Sequence, residues 1–148
     1  MNDQPLKIAV TGATGYVGGR LTPKLLNKGL QVRCLVRSSQ KLKARKWASK
    51  AEHLEVLESD LSDINQLTES LKGCRIAFYL VHSMTAAGRD YDNVDQTLAQ
   101  NFSKAAKDAG VERIIYLGGL GELGHATEHE LDIGRGGDVG IHLVHHPR

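Results

Sequence analysis

Three glycines at a GxxGxxG spacing, Gly12, Gly15 and Gly18, lie in Thr11-Gly12-Ala13-Thr14-Gly15-Tyr16-Val17-Gly18, directly after the apolar run Leu6-Lys7-Ile8-Ala9-Val10. A β-branched, apolar run entering such a segment reads as a strand, a tight turn and the start of a helix. Each glycine has a mechanical reason. Gly12 lets the chain leave the strand through a turn that favours positive φ, and Gly15 lacks the Cβ that would hold a pyrophosphate off the backbone. Gly18 lets the new helix pack closely on the strand. The free N–H groups of its first turn, backed by the positive end of the helix dipole, suit an anion, so the segment is expected to bind the phosphates of a nucleotide.

A second cluster of chemistry follows at Leu35-Val36-Arg37-Ser38. Where a glycine turn of this kind opens a parallel sheet, the residue ending the second strand lies beside the adenosine ribose, where an acid binds the 2′-hydroxyl and an arginine a 2′-phosphate. Arg37 stands there, with Ser38 as a helper. No acidic residue occurs between Val32 and Ala51, whereas Arg33, Arg37, Lys41, Lys43, Arg45, Lys46 and Lys50 all do. A cationic pocket selects NADP(H) over NAD(H), because a carboxylate facing the extra phosphate would be repelled. Most of these lysines are expected only to solvate an outer helix. The run is no nucleic-acid surface, since Trp47 is its single aromatic residue.

Asp60-Leu61, after the third strand, is placed to touch adenine, with Asp60 accepting from the amino group and Leu61 packing on the ring. Capping a helix is the competing role for Asp60. His82, in Leu80-Val81-His82, is placed to donate to a ribose or phosphate or to act as acid or base, although a lone histidine is more often structural.

The elements that must position these residues follow from periodicity. Val17, Leu21 and Leu25 recur at intervals of four and predict a helix over residues 16 to 28, with Pro23 causing a local kink. Gln31 to Arg37 is the second strand, and Ser38-Ser39 caps a helix reaching about Ser49. His53 to Glu58 is the third strand, and Ser62 caps a helix carrying Ile64, Leu67 and Leu71 that ends at Gly73. Arg75 to Val81 is the fourth strand. A helix from about Tyr91 to Ala109 carries Val94, Leu98, Phe102, Ala105 and Ala109, and Arg113 to Leu117 is the fifth strand. Five apolar strands separated by amphipathic helices predict a three-layer αβα fold, a doubly wound parallel Rossmann sheet of order 3-2-1-4-5.

These segments together resemble the atypical short-chain dehydrogenase/reductase proteins, and within them the NmrA-like NAD(P)-binding group related to nucleotide-sugar epimerases and dehydratases. The resemblance rests on Ile8 to Gly18, Leu35-Val36-Arg37, Ser59-Asp60-Leu61, and Ala105 to Val111 followed by Arg113 to Leu117, and covers roughly residues 5 to 121. It implies that Gly12, Thr14, Gly15, Tyr16 and Val17 line the pyrophosphate, Arg37 the 2′-phosphate, and Asp60 and Leu61 the adenine. Leu80, Val81 and His82 would line the inner ribose.

The chain also departs from that family. Its enzymes place a serine after strand five and a tyrosine four residues before a lysine, which lowers the tyrosine pKa. Here Gly118-Gly119 follow strand five, and Tyr16, Tyr79, Tyr91 and Tyr116 precede Arg20, Ser83, Asp95 and Leu120 by four. With no YxxxK, no catalytic residue is assigned. Two functions therefore stay open: a domain of an NAD(P)-dependent oxidoreductase or epimerase-like enzyme, or an NmrA-like redox or nucleotide sensor that binds without turnover. Family members run to about twice this length, and residues 122–148 differ in composition from residues 1–121. They hold His125, His129, His142, His145 and His146, and no lysine follows Lys107. A truncated or frame-shifted product accounts for both features. Within this tail Val139 to Val144 has the pattern of a sixth strand. His125-Ala126-Thr127-Glu128-His129 matches the HxxEH spacing of zinc proteases, but the neighbouring glycines oppose the required helix, so adventitious metal capture is the expected behaviour and no metal site is assigned.

At 148 residues, with 41% hydrophobic and 24% charged residues, the chain is long enough for one cored domain without disulfides. A net charge of +2 points to no particular macromolecular partner, and an unknown small-molecule substrate or protein partner is expected. No apolar stretch is long enough to span a bilayer, and the N-terminus lacks secretory features, so a cytoplasmic protein with no membrane contact is expected. The shortened sheet would leave an edge strand and apolar surface for a homodimer. Cys34 and Cys74 form no CxxC pair and are expected to be inert.

Overall fold

A computed structural model of the chain describes residues 5–81, 89–120 and 138–145. Its strands are β1 (Lys7–Thr11), β2 (Gln31–Val36), β3 (Leu54–Glu58), β4 (Ile76–Tyr79), β5 (Arg113–Leu120) and β6 (Asp138–His145). They form one sheet of order β3-β2-β1-β4-β5-β6. The first five run parallel in the expected order. β6 lies in the compositionally distinct tail and pairs antiparallel with β5, from Arg113 opposite His145 to Leu120 opposite Asp138. The sheet edge expected at β5 is therefore covered by backbone bonds from the chain's own later residues.

The helices are α1 (Gly18–Asn27), α2 (Ser39–Lys43), α3 (Ile64–Leu71) and α4 (Arg89–Ala109). Successive side chains of a strand point to opposite faces, which gives this sheet two separate cores. On one face Ala9, Leu35, Ala77, Tyr79, Ile114 and Tyr116 pack with Leu67 and Leu71 of α3 and Phe102, Ala105 and Ala106 of α4. The Tyr79 ring lies 4.9 Å from that of Phe102 and 5.8 Å from that of Tyr116. On the other face Ile8, Val10, Val32, Cys34 and Val36 pack with Leu42 of α2 and Leu25 and Leu26 of α1.

Three local expectations are corrected. Of the face expected for α1, Leu25 packs on the core but Val17 is 41% exposed, and Gly18 and Thr22 are the buried positions. Contact between Gly18 and the backbone of the preceding turn sets the rotation of the helix, which turns Val17 to solvent. The Thr22 hydroxyl is satisfied by donating to the Gly18 carbonyl at 2.7 Å, and the helix continues through Pro23. The second helix stops at Lys43 instead of Ser49, and a 3-10 turn follows at Ala48–Lys50. Its two large apolar residues, Leu42 and Trp47, are five apart, and so fall on different faces of a continuous helix. The cap of α3 is Asp63, whose carboxylate accepts from the Gln66 N–H at 3.1 Å. Ser62 lies one residue before that cap, where its hydroxyl donates to Asp60 at 2.7 Å.

Among the described residues no helix is long and apolar enough to cross a membrane. The HxxEH pattern at residues 125–129 and His82 lie outside the described residues.

Candidate functional site

The sheet reverses its winding between β1 and β4, and the carboxyl ends of strands on either side of such a point leave a crevice. The glycine segment opens there. Gly12 leaves β1 at φ +83°, a conformation glycine adopts without strain, and a Cβ at this position would stand 2.7 Å from the Leu80 carbonyl oxygen. A Cβ on Gly18 would stand 2.1 Å from the Gly12 carbonyl oxygen, so the first turn of α1 lies against the turn that precedes it. The segment is tied to the sheet by Thr11, whose hydroxyl donates to the Phe78 carbonyl at 2.9 Å, and by the Leu80 N–H, which donates to the Thr11 carbonyl at 3.1 Å. No side chain caps the N-terminus of α1 and no acid stands in its first turn. That end keeps its positive character for an outside anion.

A cavity of about 380 Å³ joins this segment to the ends of β2, β3 and β4. It brings together Gly12, Thr14 and Gly15 from the glycine turn, Arg37 and Ser38 from the end of β2, Leu61 from beyond β3, and Leu80 and Val81 from beyond β4. Tyr16, Val17 and Gly18 do not line it. Tyr16 is 73% exposed, with the Arg20 guanidinium 4.0 Å above its ring and donating to its hydroxyl at 2.6 Å. Asp60 does not line it either. Its carboxylate accepts from the Ser62 N–H and hydroxyl, bonds that hold its pKa below the ordinary aspartate value, with a smaller contribution from the Arg37 charge. The capping role considered for Asp60 belongs to Asp63.

The cavity wall also contains residues that sequence reasoning passed over. Thr11, Leu35 and Val36 belong to the strand ends, which the register of β1, β2 and β3 brings to one surface, and Ala13 belongs to the glycine turn. Lys41 lines the cavity although it reads as part of a solvated helical face. Arg45 donates to the Thr14 carbonyl at 2.5 Å, a contact across 31 positions that no local pattern announces. Arg33 belongs elsewhere: it is nearly buried, and donates to Glu55 at 2.8 Å and to the carbonyls of Ser70 and Lys72 at the end of α3.

These surroundings fit a dinucleotide. The glycine turn offers backbone with no Cβ in the way, the β2 end offers Arg37, Ser38 and Lys41, and Leu35, Leu61 and Leu80 supply apolar wall. The Ser59 hydroxyl in the same wall is the one buried side-chain polar atom among the described residues without a hydrogen-bond partner in the protein.

Comparison with known proteins agrees with this geometry. A family described as NAD(P)H-binding matches residues 12–133. Dihydroflavonol 4-reductase of Hordeum vulgare is 31% identical over 125 residues, covering 78% of this chain and 35% of the relative. Cinnamoyl-CoA reductase 1 of Petunia hybrida is 29% identical over 119 residues, covering 78% and 36%. The chain thus spans about a third of the length of these relatives. Among solved structures, an NADPH-dependent quinone oxidoreductase of Escherichia coli in complex with NADPH superposes with a TM-score of 0.60 at 31% identity, covering 76% of this chain and 37% of that one. A triphenylmethane reductase of Citrobacter sp. gives 0.62 at 30%, covering 77% and 37%. The switch-point cavity, its glycine turn and these matches lead to one conclusion: the chain belongs to the NAD(P)H-binding family, as a dinucleotide-binding domain of the reductase and epimerase superfamily.

Proposed function

We propose that the chain binds NADP(H) in preference to NAD(H), as the cofactor domain of an atypical short-chain reductase. The observation that carries this reading is the presence of Arg37 and Lys41 in the same cavity wall as Gly12 and Gly15. The 2′-phosphate would meet Arg37, Ser38 and Lys41, with Arg45 closing the side nearest Thr14. The diphosphate would lie on Gly12, Thr14 and Gly15 against the first turn of α1, the adenine beside Leu61, and the inner ribose beside Leu80 and Val81. The bound E. coli structure, named for its NADPH dependence, supports the choice of cofactor. When bound, NADP(H) supplies hydride chemistry. This chain's residues hold it and neutralise its charge. Residues 1–121 form the binding domain in this proposal, and β6 extends its sheet.

A second reading keeps the same cofactor site but puts it to a different use, in an NmrA-like sensor that binds without turnover. Within residues 1–148 no tyrosine stands four residues before a lysine, and Gly118-Gly119 lie inside β5, paired with β6. Titration with NADPH, NADP and NADH, with and without Arg37→Ala, tests the cofactor. The wild type should prefer NADPH, and the variant should lose about tenfold or more of NADPH affinity while keeping that for NADH, as expected for one charge-assisted contact. Equal wild-type affinities overturn the preference. Steady NADPH oxidation with a panel of quinones and aldehydes would decide for the reductase over the sensor.

A further inference from the structure

The two-residue turn Arg37-Ser38 is held on both sides by consecutive residues of the β3 end. Before it, the Val36 carbonyl accepts from the Ser59 N–H at 2.9 Å. After it, the Ser39 N–H and hydroxyl both donate to Oε1 of Glu58, at 3.0 and 2.8 Å. The register pairs Val36 with Glu58, so both ties lie at one level of the sheet. Ser38 occupies the N-cap position of α2 but makes no side-chain cap. Glu58, 19 residues away, satisfies that end of the helix instead. Its bonds from Ser39 hold the Glu58 carboxyl below the ordinary glutamate pKa, so it is ionised at neutral pH.

An acid beside a pocket meant for an extra phosphate is electrostatically unfavourable, and its charge alone would weaken NADPH binding. Its hydrogen bonds give it a different use. We infer that Glu58 is a positioning residue, which anchors Ser39 to β3 so that Arg37, Ser38 and Lys41 keep their places in the cavity wall for the 2′-phosphate. This rests on the reading of Arg37 proposed above. Glu58 itself lies outside the cavity lining and acts only through the turn.

Two neutral variants separate the charge from the anchor. Glu58→Gln removes the charge but keeps an Oε1 acceptor for Ser39, while Glu58→Ala removes both. Dissociation constants for NADPH and NADH would be measured on each by fluorescence titration, with thermal melting of every variant to establish folding. The alanine variant should bind NADPH on the order of fivefold more weakly than the glutamine variant, the effect of losing a hydrogen bond, while the two bind NADH alike. Equal NADPH affinities in the two variants would overturn the inference and leave charge as the whole effect. A parallel loss of NADH affinity in the alanine variant would also overturn it, since Glu58 would then support the adenosine site as a whole. Arg37→Ala serves as the separate control. If it abolishes NADPH preference while the Glu58 variants match, only the positioning role fails; if it leaves the preference intact, the Arg37 reading fails and this inference fails with it.

Discussion

A Cβ placed on Gly18 would lie 2.1 Å from the carbonyl oxygen of Gly12 and 2.8 Å from the Cα of Ala13. Both neighbours are backbone and neither can swing aside. Gly18→Ala should therefore force α1 off the glycine turn, lowering stability by about 3 kcal/mol, at the upper end of overpacking costs, and abolishing dinucleotide binding. Gly19→Ala is the control. Its Cβ would meet the Ala13 carbonyl at an ordinary 3.5 Å, and a helical alanine in place of glycine should be neutral or stabilising by up to about 1 kcal/mol. Urea denaturation and NADPH titration of both variants check the contrast.

Arg33 should prove to be a stability residue. Its guanidinium is nearly buried and serves the Ser70 and Lys72 carbonyls as well as Glu55. Arg33→Leu leaves those acceptors without their donor, and should cost about 3 kcal/mol by chemical denaturation. The NADPH affinity of the folded fraction should not change, in contrast to Arg37→Ala.

The same pair predicts an acid dependence. The hydrogen bond from Arg33, with lesser help from the charges of Arg33 and Lys7, lowers the Glu55 pKa in the folded state. A depressed carboxylate contributes stability that is present above its unfolded pKa and is lost as pH falls through the folded value. Glu55→Gln should thus destabilise the protein at pH 7 and converge with the wild type under acid conditions below the ordinary glutamate range. Glu55 is substantially exposed, which makes the difference small. Thermal melts from pH 7 to pH 3 measure it.

Neither cysteine should react in the native protein. Burial pushes the Cys34 thiol up to about 12, against a weaker opposing hydrogen bond involving Thr22, and burial also raises Cys74 despite the nearby Arg33. Both are free and buried. A colourless aromatic disulfide reagent at pH 8 should titrate no thiol before unfolding and two afterwards; fast reaction of either in the folded state would refute the assignment.

The sequence alone determined the sheet and the glycine turn, because both are written in local terms. Alternating strands and helices fixed the order of β1 to β5, and the requirement for no Cβ at Gly12 and Gly18 is visible in their spacing. The limits of the reading have equally physical causes. Val17 was assigned to the buried face because periodicity reports apolar spacing, whereas backbone contact at Gly18 sets the rotation of α1. Ser62 has the residue type of a cap, but α3 begins one residue later than expected, which gives the capping position to Asp63. The position of Arg37 was legible from the end of a strand, but Lys41, Ser59 and Arg45 joined the site only through parallel register and a turn after α2. Arg33 and Arg37 are four residues apart in one basic run, Arg33 inside β2 and Arg37 just past its end. Tertiary structure gave one to the carbonyls of α3 and the other to the cavity, because strand register and helix packing, which depend on residues far along the chain, decide what each guanidinium can reach.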